Sequence, residues 1–128
     1  MDGLESDAAL DLVRRVSLAL PETNERASHG APTFFVRDKK AFVMFHDDHH
    51  GDGILGIWCA APVGVQATLI DAEPDRFYRP AYVGHRGWLG VRLDRDVDPD
   101  ELEQIIEDAY RCVAPATLLK LLDQQQDQ

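Results

Sequence analysis

The most distinctive stretch of the chain is Phe77-Tyr78-Arg79-Pro80-Ala81-Tyr82-Val83-Gly84-His85-Arg86-Gly87-Trp88-Leu89-Gly90-Val91. Gly84 and Gly87 tolerate the positive φ angles of a tight turn, so residues 84–87 are predicted to join strands at 82–83 and 88–93 as a β-hairpin. Side chains alternate between the two faces along a strand. The second strand therefore directs Leu89, Val91 and Leu93 to the core, and the opposite face receives Trp88, Gly90 and Arg92.

Upstream of this hairpin, three apolar runs predict further strands. Residues 33–37 and 41–45 are rich in Phe and Val and flank Asp38-Lys39-Lys40, a pattern typical of a hairpin with a charged tip. Residues 54–60 form a third run around Trp58, whereas residues 46–53 are predicted to be a polar loop. A short extended piece over 25–29 precedes a turn at Gly30-Ala31-Pro32.

Four segments carry helical signals. Apolar residues recur at three- and four-residue spacing over 6–20, with Ser6 as the predicted cap, and residues 65–71 suggest a short helix. Asp98 as cap, Pro99 at the first helical position and Glu101 three residues after the cap predict a longer amphipathic helix, which residues 116–122 follow as a short one. The order is helix, about three strands, helix, two strands, helix. Short connections between the strands favour an α+β fold, with an antiparallel sheet and helices on one face.

Length and composition narrow the class of protein. The 128 residues fit one domain, predicted over 1–122, with a frayed tail over 123–128. The N-terminus is acidic, unlike a signal peptide, and the longest apolar stretch, 54–65, contains Pro62 and is too short to span a bilayer. Cys59 and Cys112 fall in apolar patterns typical of buried, reduced thiols. We therefore expect a cytoplasmic protein without a membrane partner.

The charge of the chain is strongly negative and unevenly distributed. A formal net charge of -10 and a pI near 4.7 argue against a general binder of polyanions. Residues 94–108 hold eight acidic side chains and one basic one, whereas residues 76–92 hold four arginines and no acid. This segregation indicates a local cationic surface on an acidic protein.

Residues 77–91 strongly resemble the MmcQ/YjbR family. Three other segments resemble it in the same order, namely Gly30-Ala31-Pro32-Thr33-Phe34, Trp58-Cys59-Ala60-Ala61-Pro62 and Tyr110-Arg111-Cys112-Val113-Ala114-Pro115. The resemblance covers nearly the whole chain and implies a two-layer fold of order α-β3-α-β2-α, similar to the secretion-chaperone fold. Members are commonly labelled DNA-binding proteins with a double-wing arrangement. The resemblance therefore implies a binding module, and it carries over no catalytic residue.

The candidate binding residues are cations and rings on the two predicted hairpins. A ring, a bare glycine and a guanidinium in a row along residues 88–92 would form a platform for a base or a phosphate. At most six full positive charges could meet phosphates, which corresponds to a salt slope of roughly -5 on duplex DNA. Alternatively, the aromatics belong to the core, the arginines pair with acids of the long helix, and the lysines protect sheet edges. The candidates are Arg37, Lys39, Lys40, Arg79, Tyr82, His85, Arg86, Trp88 and Arg92.

Other chemistry has less support in the sequence. Residues 46–53 combine His and Asp, which suit zinc, nickel or iron, but neighbouring ligands on one loop rarely converge on an ion, so a solvated turn is predicted. Ser28 and His29 are adjacent, and a strand would point them to opposite faces. No phosphate-binding loop or dinucleotide fingerprint is present in the sequence. We predict a non-enzymatic binding module without metal or cofactor, for nucleic acid or, alternatively, for a protein or small anionic ligand; the oligomeric state stays open.

Overall fold

A computed structural model describes residues 3–127. Six strands form one sheet in the order β1-β2-β3-β4-β6-β5, and every neighbouring pair is antiparallel. The confirmed architecture is therefore a two-layer α+β fold with an open antiparallel sheet. In chain order the elements are α1 (Ser6–Leu18), β1 (Thr23–Ser28), β2 (Ala31–Val36), β3 (Lys40–Asp47), β4 (Leu55–Cys59), α2 (Val65–Ala72), β5 (Phe77–Tyr78), β6 (Leu89–Arg92), α3 (Pro99–Val113) and α4 (Ala116–Gln126).

The hydrophobic core lies between the sheet and helices α1 and α3. Both helices pack on β3 and on each other. The ring of Phe42 on β3 meets Tyr110 of α3 edge to face at 5.7 Å, and the Tyr110 hydroxyl donates to the Pro21 carbonyl at 2.8 Å. Cys59 is fully buried in this core, which raises the pKa of its thiol far above the ordinary range. Its burial confirms one of the two predicted buried cysteines, whereas Cys112 is exposed.

The helix signals of the sequence are borne out most closely in α3. Asp98 caps it, because its carboxylate accepts from the N–H of Asp100 at 3.0 Å, and Pro99 occupies the first turn. At α1 the predicted cap is wrong. Glu5 holds the N-cap position, and Ser6 lies inside the helix with its hydroxyl donating to Asp47 at 2.6 Å.

The hairpin predicted around residues 84–87 is also wrong in its first strand. The partner of β6 is Phe77–Tyr78, which pairs with Val91 and Gly90. Residues 79–88 form a long loop that contains a single 3-10 turn, Gly84–Arg86. Pro80 has no N–H to donate to a neighbouring strand, and Tyr82 has a φ of +62°, so a regular strand cannot continue through residues 80–83.

The structure contains one more strand before α2 than predicted, and its last helix, α4, is longer than predicted. β1 pairs with β2 along its whole length, so four strands precede α2, and β2 begins at Ala31 where a turn is predicted. Helix α4 continues to Gln126, past the predicted end at residue 122. Residues 1 and 2 of the predicted domain and residue 128 of the predicted tail lie outside the described residues. No helix within 3–127 is both long and apolar enough to cross a membrane.

A candidate ligand-binding cavity on the distal face of the sheet

The sheet face that points away from α1 and α3, here called the distal face, carries a row of facing residues across five strands. Thr33 lies opposite Met44, and Met44 lies opposite Trp58. Trp58 in turn faces Gly90, which is paired with Tyr78 on the edge strand. Strand alternation therefore brings residues that are far apart in the sequence onto one surface.

A cavity of about 890 Å³ lies on the distal face. Its size falls within the range of small-molecule sites, which is about 300–1,000 Å³. The lining is cationic at the start of β3, where Lys40 lies, and carries an imidazole ring near the end of this strand, where His46 lies. The two positions are roughly 20 Å apart at 3.3 Å per residue. The lining residues include Lys39, Lys40, Met44, His46, His49, His50, Trp58, Tyr82, Arg86 and Trp88.

One end of the cavity is a cluster of imidazole and aromatic rings. The His46 and Trp58 ring centroids are 3.8 Å apart, and His49 lies 4.8 Å from each of them. His50 meets His49 edge to face at 4.1 Å. Trp58 is fixed in this cluster, because it is 3 % exposed and its indole N–H donates to the Tyr78 hydroxyl at 3.1 Å.

His46 is an electrically neutral member of this cluster at pH 7. Burial lowers the pKa of its imidazole to about 4, and the nearby His49 acts in the same direction, while Asp52 opposes it. Its Nε2 atom is buried and has no hydrogen-bond partner in the described part of the chain. His46 therefore contributes a flat, uncharged ring to the cluster.

Two glycines make room for Tyr78 beneath this cluster. A Cβ atom at Gly90 would lie 2.5 Å from the Tyr78 ring, and one at Gly56 would lie 3.2 Å from the Tyr78 hydroxyl. Without those side chains the Tyr78 ring lies flat on β6 and reaches Trp58. Burial raises the pKa of Tyr78 to about 12, so its hydroxyl stays protonated.

The loop over residues 79–88 covers the other side of the cavity. The side chain of Gln66 on α2 donates to the carbonyl oxygens of Gly84, at 2.9 Å, and Trp88. Tyr82 stands out from this loop with 73 % of its surface exposed, and its ring centroid is 6.5 Å from that of Trp58. The Arg86 guanidinium lies 5.3 Å from the Trp88 ring centroid, a cation–π distance.

The structure brings five of the nine predicted binding residues to the cavity and leaves the others elsewhere. Arg37 pairs with Glu22 at 3.0 Å at the first hairpin, and Arg79 and His85 are exposed on the loop outside the lining. Arg92 forms two hydrogen bonds with Asp94. The five at the cavity are Lys39, Lys40, Tyr82, Arg86 and Trp88.

The predicted open platform along residues 88–92 is wrong. Trp88 is only 5 % exposed, the Tyr78 ring covers Gly90, and Asp94 holds Arg92. The alternative of pairing with the long helix holds for Arg76, which binds Glu101 of α3. The platform fails because the face that was taken as open is covered by the edge strand β5 and by the loop that follows it.

His46, His49 and Trp58 are the site residues that sequence reasoning missed. His46 belongs to β3 and is buried, so the prediction of a polar loop beginning at this residue is wrong. The available signal is the alternation of β3, which places His46 on the same face as Met44. Within residues 3–127, no group of three or more His, Cys, Asp or Glu side chains is arranged to hold a metal ion.

Fold and cavity together define a two-layer α+β domain with a ligand-sized cavity on the distal face of its sheet, and the lining of this cavity extends to Cys112 and Val113 at the end of α3. The family model for YjbR matches residues 18–112, and the chain belongs to the YjbR family. The crystal structure of protein DR2400 from Deinococcus radiodurans, a DUF419 domain, is similar with a TM-score of 0.71 at 17% identity, over 89% of this chain and 87% of that one. This likeness supports the fold. A search among curated proteins finds no match.

Proposed function

We propose that the protein is a non-enzymatic binding module that holds a small anionic ligand in the distal-face cavity. One observation carries this proposal. Lys39, Lys40 and Arg86 line the cavity, and none of them forms an ion pair with a carboxylate of residues 3–127. On a chain of net charge -10, cations without a carboxylate partner around one concavity favour an anion there.

Three other arginines near the sheet, by contrast, each form an ion pair. Arg37 binds Glu22, Arg76 binds Glu73 at 2.8 Å, and Arg92 binds Asp94 at 2.8 Å. Their charges are already compensated within the fold. The ion pairs that stabilise the protein therefore lie outside the cavity, and the charges that line it are left for a ligand.

The same geometry supports binding rather than catalysis. No side-chain hydrogen bond joins His46, His49 or His50 to a hydroxyl or thiol in the described chain, so a nucleophile paired with a base is lacking there. Burial raises the pKa of the Cys59 thiol, and partial desolvation together with the nearby Asp108 raises that of the solvent-accessible Cys112 thiol, which disfavours the reactive thiolate at both. Two free thiols also favour the reducing cytoplasm as the place of action.

The direct test is calorimetric titration with inorganic pyrophosphate, an anion without rings. We expect the double variant Lys39→Glu/Lys40→Glu to bind at least about tenfold more weakly than wild type, because two attractive charges become repulsive. The matched control is Arg95→Glu/Lys120→Glu, which changes net charge equally at exposed positions that do not line the cavity. Absence of binding by the wild type, or equal weakening in the control, would contradict the proposal.

A second candidate ligand is nucleic acid. The observation that favours it is the placement of Lys39 on the β2–β3 connection, and of Arg79 and Arg86 on the 79–88 loop, as exposed cations on two separate loops. With Arg37 and Arg92 paired, four of the six full charges considered from the sequence are left. Duplex binding would then show a salt slope of roughly -3 to -4.

Mobility-shift titration of duplex DNA across salt concentrations tests this candidate. Steep weakening with salt and loss of the shift in Arg79→Glu would support it, since Arg79 lies outside the cavity lining. A shift that is absent at low salt would leave the small-anion proposal as the only one of the two that stands.

A further inference from the structure

We infer that the cavity contains a second anion subsite at its histidine-lined end, which fills as the imidazoles take up protons, and that the ligand is an elongated molecule with an anionic group at each end. This inference rests on the proposed function, because it names the ligand class of the same cavity. It adds a binding site at the end away from the lysines and a dependence of binding on pH.

Among the described residues, the lining of the cavity contains basic and imidazole side chains but no carboxylate. Lys39, Lys40 and Arg86 line it, and so do four of the five histidines of the chain. The chain nevertheless contains 23 acidic residues. A concavity without carboxylates on such a chain favours anions along its whole length. The four histidines are His29, His46, His49 and His50.

The basic side chains and the histidines lie at opposite ends of the cavity. The row of facing residues across the strands marks its middle. From this row, β2 leads back to His29 and β3 leads forward to His46 and His49, so these three share one end of the sheet. At the other end, β3 leads back to Lys40 and β6 leads back to Arg86. The backbone positions at the two ends are roughly 20 Å apart.

The histidine end has room for a ligand group between two turns. His29 is exposed on the turn between β1 and β2, and His50 is exposed on the loop between β3 and β4. These two connections are two strand spacings apart, which is roughly 10 Å. An anion between them would therefore contact imidazoles from both sides. His46, which is buried and neutral, lies beneath this position.

The packing of His49 on His50 links anion binding to proton uptake. Two imidazolium cations whose ring centroids are 4.1 Å apart repel each other. An anion beside them stabilises their charged forms. Because this coupling is reciprocal, acidification strengthens the binding of the anion. Histidine side chains gain their charge as the pH falls from about 8 to 5, so the effect belongs to that range.

The carboxylates nearest the histidine end are engaged elsewhere and do not line the cavity. Asp48 and Asp52 each accept a hydrogen bond from a backbone N–H of their own loop, at 2.7 and 2.9 Å. Asp47 follows His46 in β3 and therefore points to the opposite face of the sheet. There it accepts from the Ser6 hydroxyl at 2.6 Å, in the first turn of α1, which also carries Asp7.

The other elements around the histidine end add no unpaired charge. Residues 27–36 contain His29 as their only charged or titratable side chain. Tyr78 of β5 stays protonated, because burial raises its pKa to about 12. Arg92 of β6 is paired with Asp94 at 2.8 Å. The groups that an incoming anion meets at this end are therefore the imidazoles.

The middle of the cavity completes the description of the ligand. Ala41, Met44 and Val83 line it between the two ends, and they offer no hydrogen-bonding side chain except the weak thioether acceptor. The ligand class is therefore a chain-like molecule with an apolar middle and an anionic group at each end. Long α,ω-diacids have this chemistry.

The test compares decane-1,10-disulfonate with decane-1-sulfonate by calorimetry at pH 7.5 and pH 5.5, below micelle-forming concentrations. The two probes share the apolar chain, and sulfonates stay charged at both pH values, so only the protein titrates. At pH 5.5 we expect wild type to bind the disulfonate about fivefold more tightly, the gain from one pair of opposite charges at an exposed site. At pH 7.5 the two probes should bind with nearly equal affinity.

The matched variants remove imidazoles inside and outside the cavity. His29→Asn/His50→Asn removes the two exposed imidazoles of the subsite, and asparagine tolerates the positive φ of +52° and +50° at these positions. This variant should lose the preference for the disulfonate at pH 5.5. His85→Asn removes the histidine that does not line the cavity, and it should keep the preference.

The possible failures are distinguishable. A preference for the disulfonate that is absent at both pH values, equal at both, or retained in His29→Asn/His50→Asn overturns the histidine subsite, while pyrophosphate binding at the lysine end still stands. If wild type binds neither sulfonate nor pyrophosphate, the proposed function falls with it. Urea unfolding at pH 5.5 verifies that the double variant is folded; if it is not, His50→Asn alone is compared with His85→Asn by the same criterion.

Discussion

His46 is buried and not solvated, because strand β3 continues past the residue at which a polar loop was predicted to begin. The imidazole lies near the end of β3, packs on Trp58 with ring centroids 3.8 Å apart and is 9 % exposed. Burying a histidine without a hydrogen-bond partner for Nε2 disfavours its charged form. The residue therefore links the proposed ligand site to the pH dependence of folding.

The lowered pKa of His46 predicts a specific loss of stability in mild acid. Between its unfolded value of about 6.5 and its folded value of about 4, the unfolded chain binds a proton that the folded chain does not, so stability falls as pH decreases through this window. The contribution amounts to about 3 kcal/mol at most. His46→Phe keeps a flat ring without a titrating group, so its stability relative to wild type should rise by about 2 kcal/mol between pH 7 and pH 5.

Urea unfolding of both proteins at the two pH values measures this difference. Comparing the variant with wild type cancels the titration of the acidic groups that the two proteins share. Parallel pH dependence of the two free energies of unfolding would show that His46 titrates normally and is not held neutral by the fold.

At the scale of elements, the sequence predicts best those helices and hairpins that are stabilised by contacts between residues close together in the chain. The start of α3 was predictable because Asp98 and Pro99 act within one turn, and the β2–β3 hairpin because its strands are adjacent in sequence. The edge strand β5 was not predictable in the same way. It is two residues long, and it is fixed by pairing with β6 and by the Tyr78–Trp58 hydrogen bond across 20 positions.

The contact between β5 and β6 gives the element-scale prediction. Gly90→Ala would place a methyl group 2.5 Å from the Tyr78 ring, and such overpacking should cost about 1–3 kcal/mol of the free energy of unfolding. In a Tyr78→Ala background the obstructing ring is gone, so the same substitution should cost less than half as much. Urea unfolding of the four proteins of this double-mutant cycle provides the numbers. Equal costs in both backgrounds would mean that the clash lies elsewhere.

At the scale of the whole molecule, the sequence predicted the existence of a cationic surface but not its members. The four arginines of residues 76–92 looked equivalent, yet Arg76 and Arg92 are paired within the fold, while Arg86 lines the cavity. Partners such as Glu101 for Arg76 lie 25 positions away, and no local pattern indicates them. The two-layer fold was predictable from element order, whereas the cavity depends on which loops fold back over the sheet.

The claim that the distal-face cavity binds an anion is tested most directly by a two-dimensional nitrogen–proton NMR titration with pyrophosphate. We expect the largest chemical-shift changes at the backbone amides of Lys39, Lys40 and Arg86 and at the indole N–H of Trp88. The exposed cations Arg95 and Lys120, which do not line the cavity, should barely change. A spectrum that does not change at millimolar pyrophosphate, or whose largest changes lie at those outlying cations, would contradict it.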